Sequence, residues 1–487
     1  MRYPLLAGYT CTAPVQEGAD WRVTEIPDKV HFIGIGGAGM SGLARVLLEQ
    51  GRDVRGSDMH STAVTEKLRH LGATVYIGHG ADNIGDAELV VISTAIAAGN
   101  PELLAAAAED IPVIHRADLL ALLMHRQRGV AIAGAHGKTT TTAMLALVME
   151  KCRLDPTILI GGELTNIGGN AKLGRGEYLV AEADESDQSF LKLKPYLAVV
   201  TNIEDDHLDH YGSVENIIAA FRRFMGGVTT GGAAVLCFDD QTVREIADAC
   251  AERVISYSLE YPAADYVLKD IRLTASGSKA EVYYRGQRLG PLSLSVPGRH
   301  NLANALAVVA AGRFIGISFP KIAAALPDYR GASRRYQLLG RVNGVTVVDD
   351  YAHHPTEIDA TLKAARQVHE GRIITVFQPH RYSRTSLLHQ RFGNCFAHTD
   401  LLIINDIYSA GETPLPGVTA QLIVDAVAAH NGHRPVFIGS RHETVAYLTA
   451  ELRRGDLVLT MGAGDIWKTG AELLNRLREK EQSSNIP

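Results

Sequence analysis

Val130-Ala131-Ile132-Ala133-Gly134-Ala135-His136-Gly137-Lys138-Thr139-Thr140 decides how this chain is read. An apolar, strand-like run enters a loop of small residues. The helical-looking Thr141-Thr142-Ala143-Met144-Leu145-Ala146-Leu147 follows. Small residues let successive backbone N–H groups converge on phosphate oxygens, and the helix that follows adds the positive end of its dipole. In such a loop Lys138 reaches the terminal phosphates, and the Thr139 hydroxyl sits on Mg²⁺. Ile132 stands where the general phosphate-loop pattern has its first glycine, so the match is to a shortened G-x-x-G-K-T form. The order strand, loop, helix points to a nucleoside triphosphate; a Gly-rich turn carrying a surface lysine is the alternative.

Outward from that loop, the chain of 487 residues has length for about three domains. Charged residues at 21% and hydrophobic ones at 46% are ordinary for a globular protein. A net charge of −6 gives no electrostatic case for a nucleic-acid or membrane-surface partner. No apolar run reaches the roughly 18 residues of a spanning helix, and the apolar run at Leu5-Leu6-Ala7 is too short for a signal peptide. Cys11, Cys152, Cys237, Cys250 and Cys395 are scattered and form no C-x-x-C pair, as expected of a cytoplasmic protein without structural zinc.

Residues 1–27 show no sustained periodicity and read as an irregular extension. From Val30, β-rich runs (Val30 to Ile35, Asp53 to Gly56, Ala73 to Ile77, Leu89 to Ser93, Val113 to His115) alternate with helical stretches at Gly42 to Gln50 and Ala63 to Leu71. Such alternation predicts a parallel sheet covered by helices. The middle of the chain repeats it, with strands expected at Gly129 to Ala133, Tyr178 to Ala183, Leu197 to Thr201 and Ala233 to Cys237. Ala264 to Val296, with turns at Ser276-Gly277 and Arg285-Gly286, reads as an antiparallel addition. An apolar helix is expected over Asn301 to Phe314, and Pro327 to Ala332 breaks the pattern. Alternation returns at Val345 to Val348, Arg372 to Phe377, Leu401 to Asn405, Pro435 to Ile438 and Leu457 to Met461. The polar tail after Arg476 is expected to fray.

Polar clusters recur where these strands end. Gly34-Ile35-Gly36-Gly37-Ala38-Gly39 fits G-x-G-x-x-G between a strand and a helix, with Asp58 closing the next strand. These glycines accept any pyrophosphate, dinucleotide or sugar nucleotide; Asp58 meets a ribose hydroxyl or caps a loop. Ser93-Thr94 lies at a strand end where ligands of doubly wound sheets bind. Glu182-Ala183-Asp184-Glu185 places carboxylates at a strand's carboxyl end, where phosphate-loop proteins hold Mg²⁺. Glu204-Asp205-Asp206-His207 follows the next strand, and His207 is either a metal ligand or a core histidine. His300 and Asn304, four apart on a helix, can face one ligand, with capping by Asn301 competing for part of that stretch. Arg381 and Arg384 suit a carboxylate or phosphate clamp, surface arginines being the alternative.

Together the stretches Gly34 to Gly42, Gly134 to Thr140, Glu182 to Asp187, Pro297 to Asn301, Asp350 to Pro355 and Phe377 to Tyr382 resemble the ATP-dependent Mur ligases of peptidoglycan synthesis, over about residues 28–470. Within that family the chain is most similar to the members that join L-alanine to UDP-N-acetylmuramate. The resemblance implies an α/β fold in three domains after the extension at 1–27. A Rossmann-like UDP-binding domain would span 28–126. A central ATP-binding domain over 127–329 would combine a parallel sheet with a small antiparallel one. A Rossmann-like domain over 330–487 would bind the amino acid. It implies ATP and Mg²⁺ as ligands, a monomer or homodimer, and no nucleic-acid or membrane partner. Gly36, Gly37, Ala38, Gly39, Met40, Asp58, Ser93 and Thr94 would hold the UDP-sugar. Gly134, His136, Gly137, Lys138, Thr139, Thr140, His300, Asn304, Arg335 and Asp350 would hold ATP, with Arg334 as the other candidate for the arginine. Thr139, Glu182 and His207 would serve metal. Lys138, Glu182, His207 and Arg335 would be catalytic, and Tyr351, His353, Arg381 and Arg384 would recognise the amino acid. Ala135 stands where the family's threonine is familiar. A recycling ligase adding a tripeptide to the same nucleotide, and an NAD-dependent oxidoreductase using the Gly34 loop, are the alternatives.

Overall fold

A computed structural model describes residues 23–164, 168–274, 277–431 and 434–484. Most of the expected N-terminal extension, residues 1–22 with Cys11, lies outside the described residues, as do Ser276 of an expected turn and the last three residues of the tail. The chain divides into two compact units, one of residues 1–127 with 171–173 and one made of the rest.

The first unit is built on β1 (Lys29–Ile33), β2 (Asp53–Asp58), β3 (Thr74–Ile77), β4 (Leu89–Ile92) and β5 (Val113–His115), all parallel, in the order 3-2-1-4-5. The strand order reverses between β1 and β4, so the loops leaving these two strands flank the crevice in which such sheets bind ligands. Gly34 leaves β1 and Ser93 leaves β4, as the sequence pattern expects. Helix α1 runs over Ala38–Glu49, starting earlier than expected. Gly39 and Gly42 lower helix propensity, but Met40, Leu43, Val46 and Leu47 bury one face and hold the first turn. Beneath the sheet, Glu102 is fully buried and satisfied: it accepts from Ser57 Oγ (2.6 Å), Asn83 Nδ2 (2.6 Å) and the Gly80 amide (3.2 Å), and lies 3.1 Å from His31 Nε2.

The second unit carries two sheets. The central one has β6 (Arg128–Ala133), β7 (Thr157–Leu164), β8 (Gly169–Lys172), β9 (Tyr178–Glu182), β10 (Leu197–Val200), β11 (Ala233–Cys237), β12 (Arg253–Ser258), β13 (Tyr266–Thr274), β14 (Gly277–Tyr284) and β15 (Gln287–Leu294), ordered 15-14-13-12-11-10-6-9-7-8. β13 pairs parallel with β12 and antiparallel with β14, so the antiparallel strands continue the parallel sheet and the two make one mixed sheet. β7, β8 and β12 were not expected from the sequence pattern. Helix α2 (Lys138–Lys151) is buried almost all round from Thr139 to Met149 and packs beside α3 (Arg299–Phe314), itself buried along most of its length. A helix hydrophobic on every side belongs inside a core.

The C-terminal sheet comprises β16 (Gln337–Val342), β17 (Val345–Asp350), β18 (Ile373–Phe377), β19 (Leu401–Ile404), β20 (Val436–Phe437) and β21 (Leu457–Met461), ordered 16-17-21-18-19-20. It is parallel except for β16, an edge strand the sequence pattern did not signal: Gly340 interrupts it, and all its residues but Val342 are exposed or half exposed. α4 (Pro355–Val368) follows β17 and α5 (Tyr382–Phe392) follows β18. The tail differs from expectation. α6 runs over Trp467–Ser484 because Leu473, Leu474 and Leu477 are buried against the C-terminal sheet, and that burial carries the helix past Arg476.

Candidate active site

The phosphate loop leaves β6 at the centre of the sheet. Gly134 has φ 134°, and a Cβ there would meet Thr201 Oγ1 at 2.1 Å; at Gly137, φ 84°, it would meet Asn304 Oδ1 at 2.6 Å. Only glycine fits either place. The end of β10 pins the loop from the other side. Asn202 O accepts from the Ala135 amide (3.1 Å), Asn202 Oδ1 from the His136 amide (2.8 Å), and Thr201 Oγ1 donates to His136 O (2.6 Å). Thr140 lies in the buried first turn of α2.

Lys138 folds back over this loop, its Nζ donating to Gly134 O (2.6 Å), Ala135 O (3.2 Å) and Glu185 Oε1 (2.7 Å). Burial works to discharge Lys138, but Glu185 and Glu182 outweigh it and hold its pKa above the ordinary lysine value. Burial pushes Glu185 up to about 7 in spite of Lys138. Thr139 Oγ1 donates to the Glu182 carboxylate, 3.0 Å from Oε1 and 3.1 Å from Oε2. His207, the third expected metal ligand, has its polar contacts elsewhere: Nε2 lies 3.5 Å from Asp206 and 3.9 Å from Glu185.

Between the phosphate loop and the C-terminal sheet lies a cavity of about 390 Å³. His136, Gly137, Thr139 and Thr140 line it from the loop side, His300 and Asn304 from the first turns of α3, and Arg335 and Asp350 from the C-terminal sheet. Asp350 accepts from the amides of Tyr336 (2.7 Å) and Ala352 (2.8 Å); burial raises its pKa to about 6 against the pull of Arg335. The neighbouring arginines have different surroundings. Arg334 donates to Asp349 (3.0 Å) and to the carbonyls of Gly462 (2.5 Å) and Gly464 (3.0 Å), tying the end of β21 to β17, whereas Arg335 lines the cavity 3.6 Å from Glu357.

A second cluster forms beside the first. Arg381, Arg384 and Ser383 share a small cleft with Asp205, Asp206 and His207. Arg384 donates to Asp206 (3.3 Å), and Arg381 lies 4.0 Å from Glu412. Burial favours a neutral Asp206, but Arg384 and His207 overcome it and hold its pKa well below the usual carboxylate range. The Tyr351 and His353 rings are 5.4 Å apart, His353 and His380 5.8 Å. Burial keeps His353 neutral, its pKa down at about 3. The two arginines therefore already face carboxylates, which a ligand's carboxylate would have to rival.

In the first unit the Gly36 amide donates to Asp58 Oδ2 at 2.9 Å, so Asp58 braces the glycine loop. Gly37 is the extended residue that caps α1, and Ala38 and Gly39 form its first turn. Met40 is buried, while Thr94 is exposed beyond β4 and Ser93 accepts the Ile96 amide at its carbonyl. Among the wall residues the sequence did not single out are Tyr329, Thr356 and Glu357. Glu357 carries a usable signal, since Pro355-Thr356-Glu357 after a histidine reads as a helix start.

Three family descriptions match in series: "Mur ligase family, catalytic domain" over residues 29–128, "Mur ligase middle domain" over 132–312, and "Mur ligase, glutamate ligase domain" over 334–464. The chain is 60% identical over 453 residues to the UDP-N-acetylmuramate–L-alanine ligase of Pelotomaculum thermopropionicum, covering 93% of this chain and 98% of that protein. It is 54% identical to the ligase of the same name from Desulforamulus reducens, with the same coverage. Among solved structures it is similar to the UDP-N-acetylmuramate-alanine ligase of Thermotoga maritima, with TM-score 0.80, 30% identity, and coverage of 93% of this chain and 99% of that one.

Proposed function

Because the chain belongs to the Mur ligase family, we propose that it joins L-alanine to the lactyl carboxylate of UDP-N-acetylmuramate at the expense of ATP. What carries the reading is the single cavity lined by the phosphate loop, by His300 and Asn304, and by Arg335 and Asp350. The identity to alanine ligases supports the choice of amino acid over a tripeptide, and membership of a ligase family replaces the nicotinamide alternative. The domains proposed are 28–126 for the UDP-sugar, 127–329 for ATP and 330–487 for the amino acid, in a cytoplasmic monomer or homodimer. No described helix is long and apolar enough to cross a membrane.

A carboxylate is a poor electrophile, so a lactyl oxygen attacks the γ-phosphorus of ATP; the bond to the β,γ-bridging oxygen breaks and an acyl phosphate forms. The alanine amine then attacks the acyl carbon, the acyl C–O bond breaks, and the amide forms as the amine's proton passes to the departing phosphate. Positioning and charge stabilisation are the protein's share. Lys138 exchanges its carbonyl partners for phosphate oxygens, and Arg335 meets charge from the far wall. Tyr351, His353, Arg381 and Arg384 hold the amino acid. Thr139 and Glu182 fit Mg²⁺, since hydroxyl and carboxylate oxygens already converge at the helix start. When bound, the ion supplies charge neutralisation at the phosphates. His207 is proposed for a second metal position.

Phosphate release with ATP and Mg²⁺ is measured with each substrate alone and with both, the product being weighed by mass spectrometry. Release that requires both substrates, with a product heavier by one alanine residue, is expected. Release with neither would favour a simple nucleoside triphosphatase.

A further inference from the structure

The strongest unassigned feature lies on the rim of the nucleotide cavity. His136 Nε2 is 3.3 Å from Glu204 Oε2, and His354 Nδ1 is 3.7 Å from the same oxygen. One ligand atom from each of the three residues lies within 4.8 Å of the others. His354 is fully buried, and neither of its ring nitrogens makes a hydrogen bond of regular geometry among the described residues, although its side chain stands in capping reach of the Glu357 amide. A buried imidazole left in that state loses its water without compensation. Its ring stands 5.1 Å from that of His136 and faces Glu204.

We propose that His136, Glu204 and His354 form a binding site for a borderline-soft divalent cation of the zinc class, distinct from the Thr139–Glu182 pair. Two imidazoles and one carboxylate select zinc or cobalt over magnesium, which prefers oxygen ligands. Tetrahedral zinc with bonds near 2.0–2.1 Å needs ligand atoms about 3.3 Å apart. His136 and Glu204 already stand at that distance, His354 and Glu204 reach it with a shift of a few tenths of an ångström, and the two imidazole nitrogens, within 4.8 Å of each other, would draw together as the ion binds. The surroundings fit as well. Glu357 Oε1 lies 3.2 Å from His136 Nδ1, the outer carboxylate that commonly orients a metal-bound histidine, and Thr356 Oγ1 donates to Glu204 Oε2 at 2.8 Å. His136 and Glu204 line the cavity, so a fourth coordination position opens toward it. Because His354 heads α4 while the other two ligands belong to the central sheet, a bound ion would tie the C-terminal domain to the phosphate loop.

The test uses the full-length chain stripped of metal, with Mg²⁺ in excess to occupy oxygen sites. Zinc is titrated calorimetrically, and cobalt is followed by its visible absorption, which intensifies in four-coordinate sites. One equivalent of zinc and an intense cobalt spectrum are expected for the parent and for His442→Ala, an exposed histidine. His354→Ala and Glu204→Gln should each lose both signals while keeping the parent's circular dichroism, and either one decides the matter if the other does not fold. Glu357→Gln should retain the stoichiometry with affinity about tenfold weaker or more. Absence of stoichiometric uptake by the parent, or uptake that survives in a folded His354→Ala or Glu204→Gln, would overturn the proposal.

Discussion

Gly134→Ala tests the phosphate loop at the position where the structure is most explicit. A Cβ at residue 134 would lie 2.1 Å from Thr201 Oγ1, 3.0 Å from Asn202 O and 3.1 Å from Asn202 N, and the backbone there has φ 134°. Turning the threonine side chain relieves only the first contact, because the others are backbone at the end of β10. With Thr201 turned away its bond to His136 O is lost and the loop still withdraws by a few tenths of an ångström; with Thr201 held in place by that bond the loop must withdraw from β10 by about 1 Å, loosening the bond from Ala135 N to Asn202 O. The backbone conformation alone costs about 1–3 kcal/mol in a residue with a side chain, and each lost hydrogen bond about 0.5–1.5 kcal/mol. A displacement of that size in a positioning element lowers the rate about 100-fold, equivalent to about 2.7 kcal/mol of transition-state stabilisation. Initial rates of phosphate release at varied ATP should show kcat/KM falling by that factor, while calorimetric binding of UDP-N-acetylmuramate stays near the parent's. A folded variant within about threefold of the parent would refute the claim that this loop positions ATP.

Four further outcomes follow from the same geometry. Lys138→Ala should abolish turnover and leave the binding of UDP-N-acetylmuramate largely intact; loss of that binding in a folded protein would contradict the role given to the first unit. Arg381→Ala should raise the alanine KM far more than the ATP KM, and equal effects would argue against a carboxylate clamp. Arg334→Ala strands the buried Asp349 carboxylate and frees the end of β21, so urea denaturation should show a loss of about 3 kcal/mol, which an unchanged midpoint would exclude. In the first unit, burial would raise the Glu102 pKa, but His31, Ser57 and Asn83 draw it down to about 2 from 4.5. A depressed folded pKa means that the stability is present above pH 4.5 and is lost as pH falls toward 2, to the extent of about 3 kcal/mol. Glu102→Gln should flatten that acid limb in urea titrations of the first unit's unfolding transition, and an unaltered limb would remove the charged network from the account.

The glycine loops, the small-residue entry to α2 and the strand-end acids were legible because each is a local demand. A backbone that must turn at positive φ, or approach another chain segment closely, writes glycine at that position whatever the rest of the molecule does. β7 and β12 went unsignalled although apolar residues run through both, since their place is set by neighbours distant in sequence. The choice between Arg334 and Arg335 was likewise out of reach: the two adjoin in sequence, and only the positions of Gly462 and Gly464 show that Arg334 is consumed in holding the sheet.

Glu357 shows where the boundary between legible and hidden runs. Its Oε2 accepts from the amides of His353 (3.0 Å) and His354 (3.3 Å), the ordinary work of a helix-start glutamate, and that half follows from Pro355-Thr356-Glu357. Its Oε1 lies 3.2 Å from His136 Nδ1 on the phosphate loop, a pairing no local pattern announces. Burial would discharge His136, yet in the metal-free chain Glu204 and Glu357, from different domains, hold its pKa up at about 10, so a cation held by its Nε2 would displace a proton there. The same side chain thus starts α4 and docks it on the phosphate loop. A shift in the first turn of α4 would move His353, His354 and the wall of the cavity together, and so would couple the cluster proposed for the amino acid to the cavity proposed for ATP through one carboxylate.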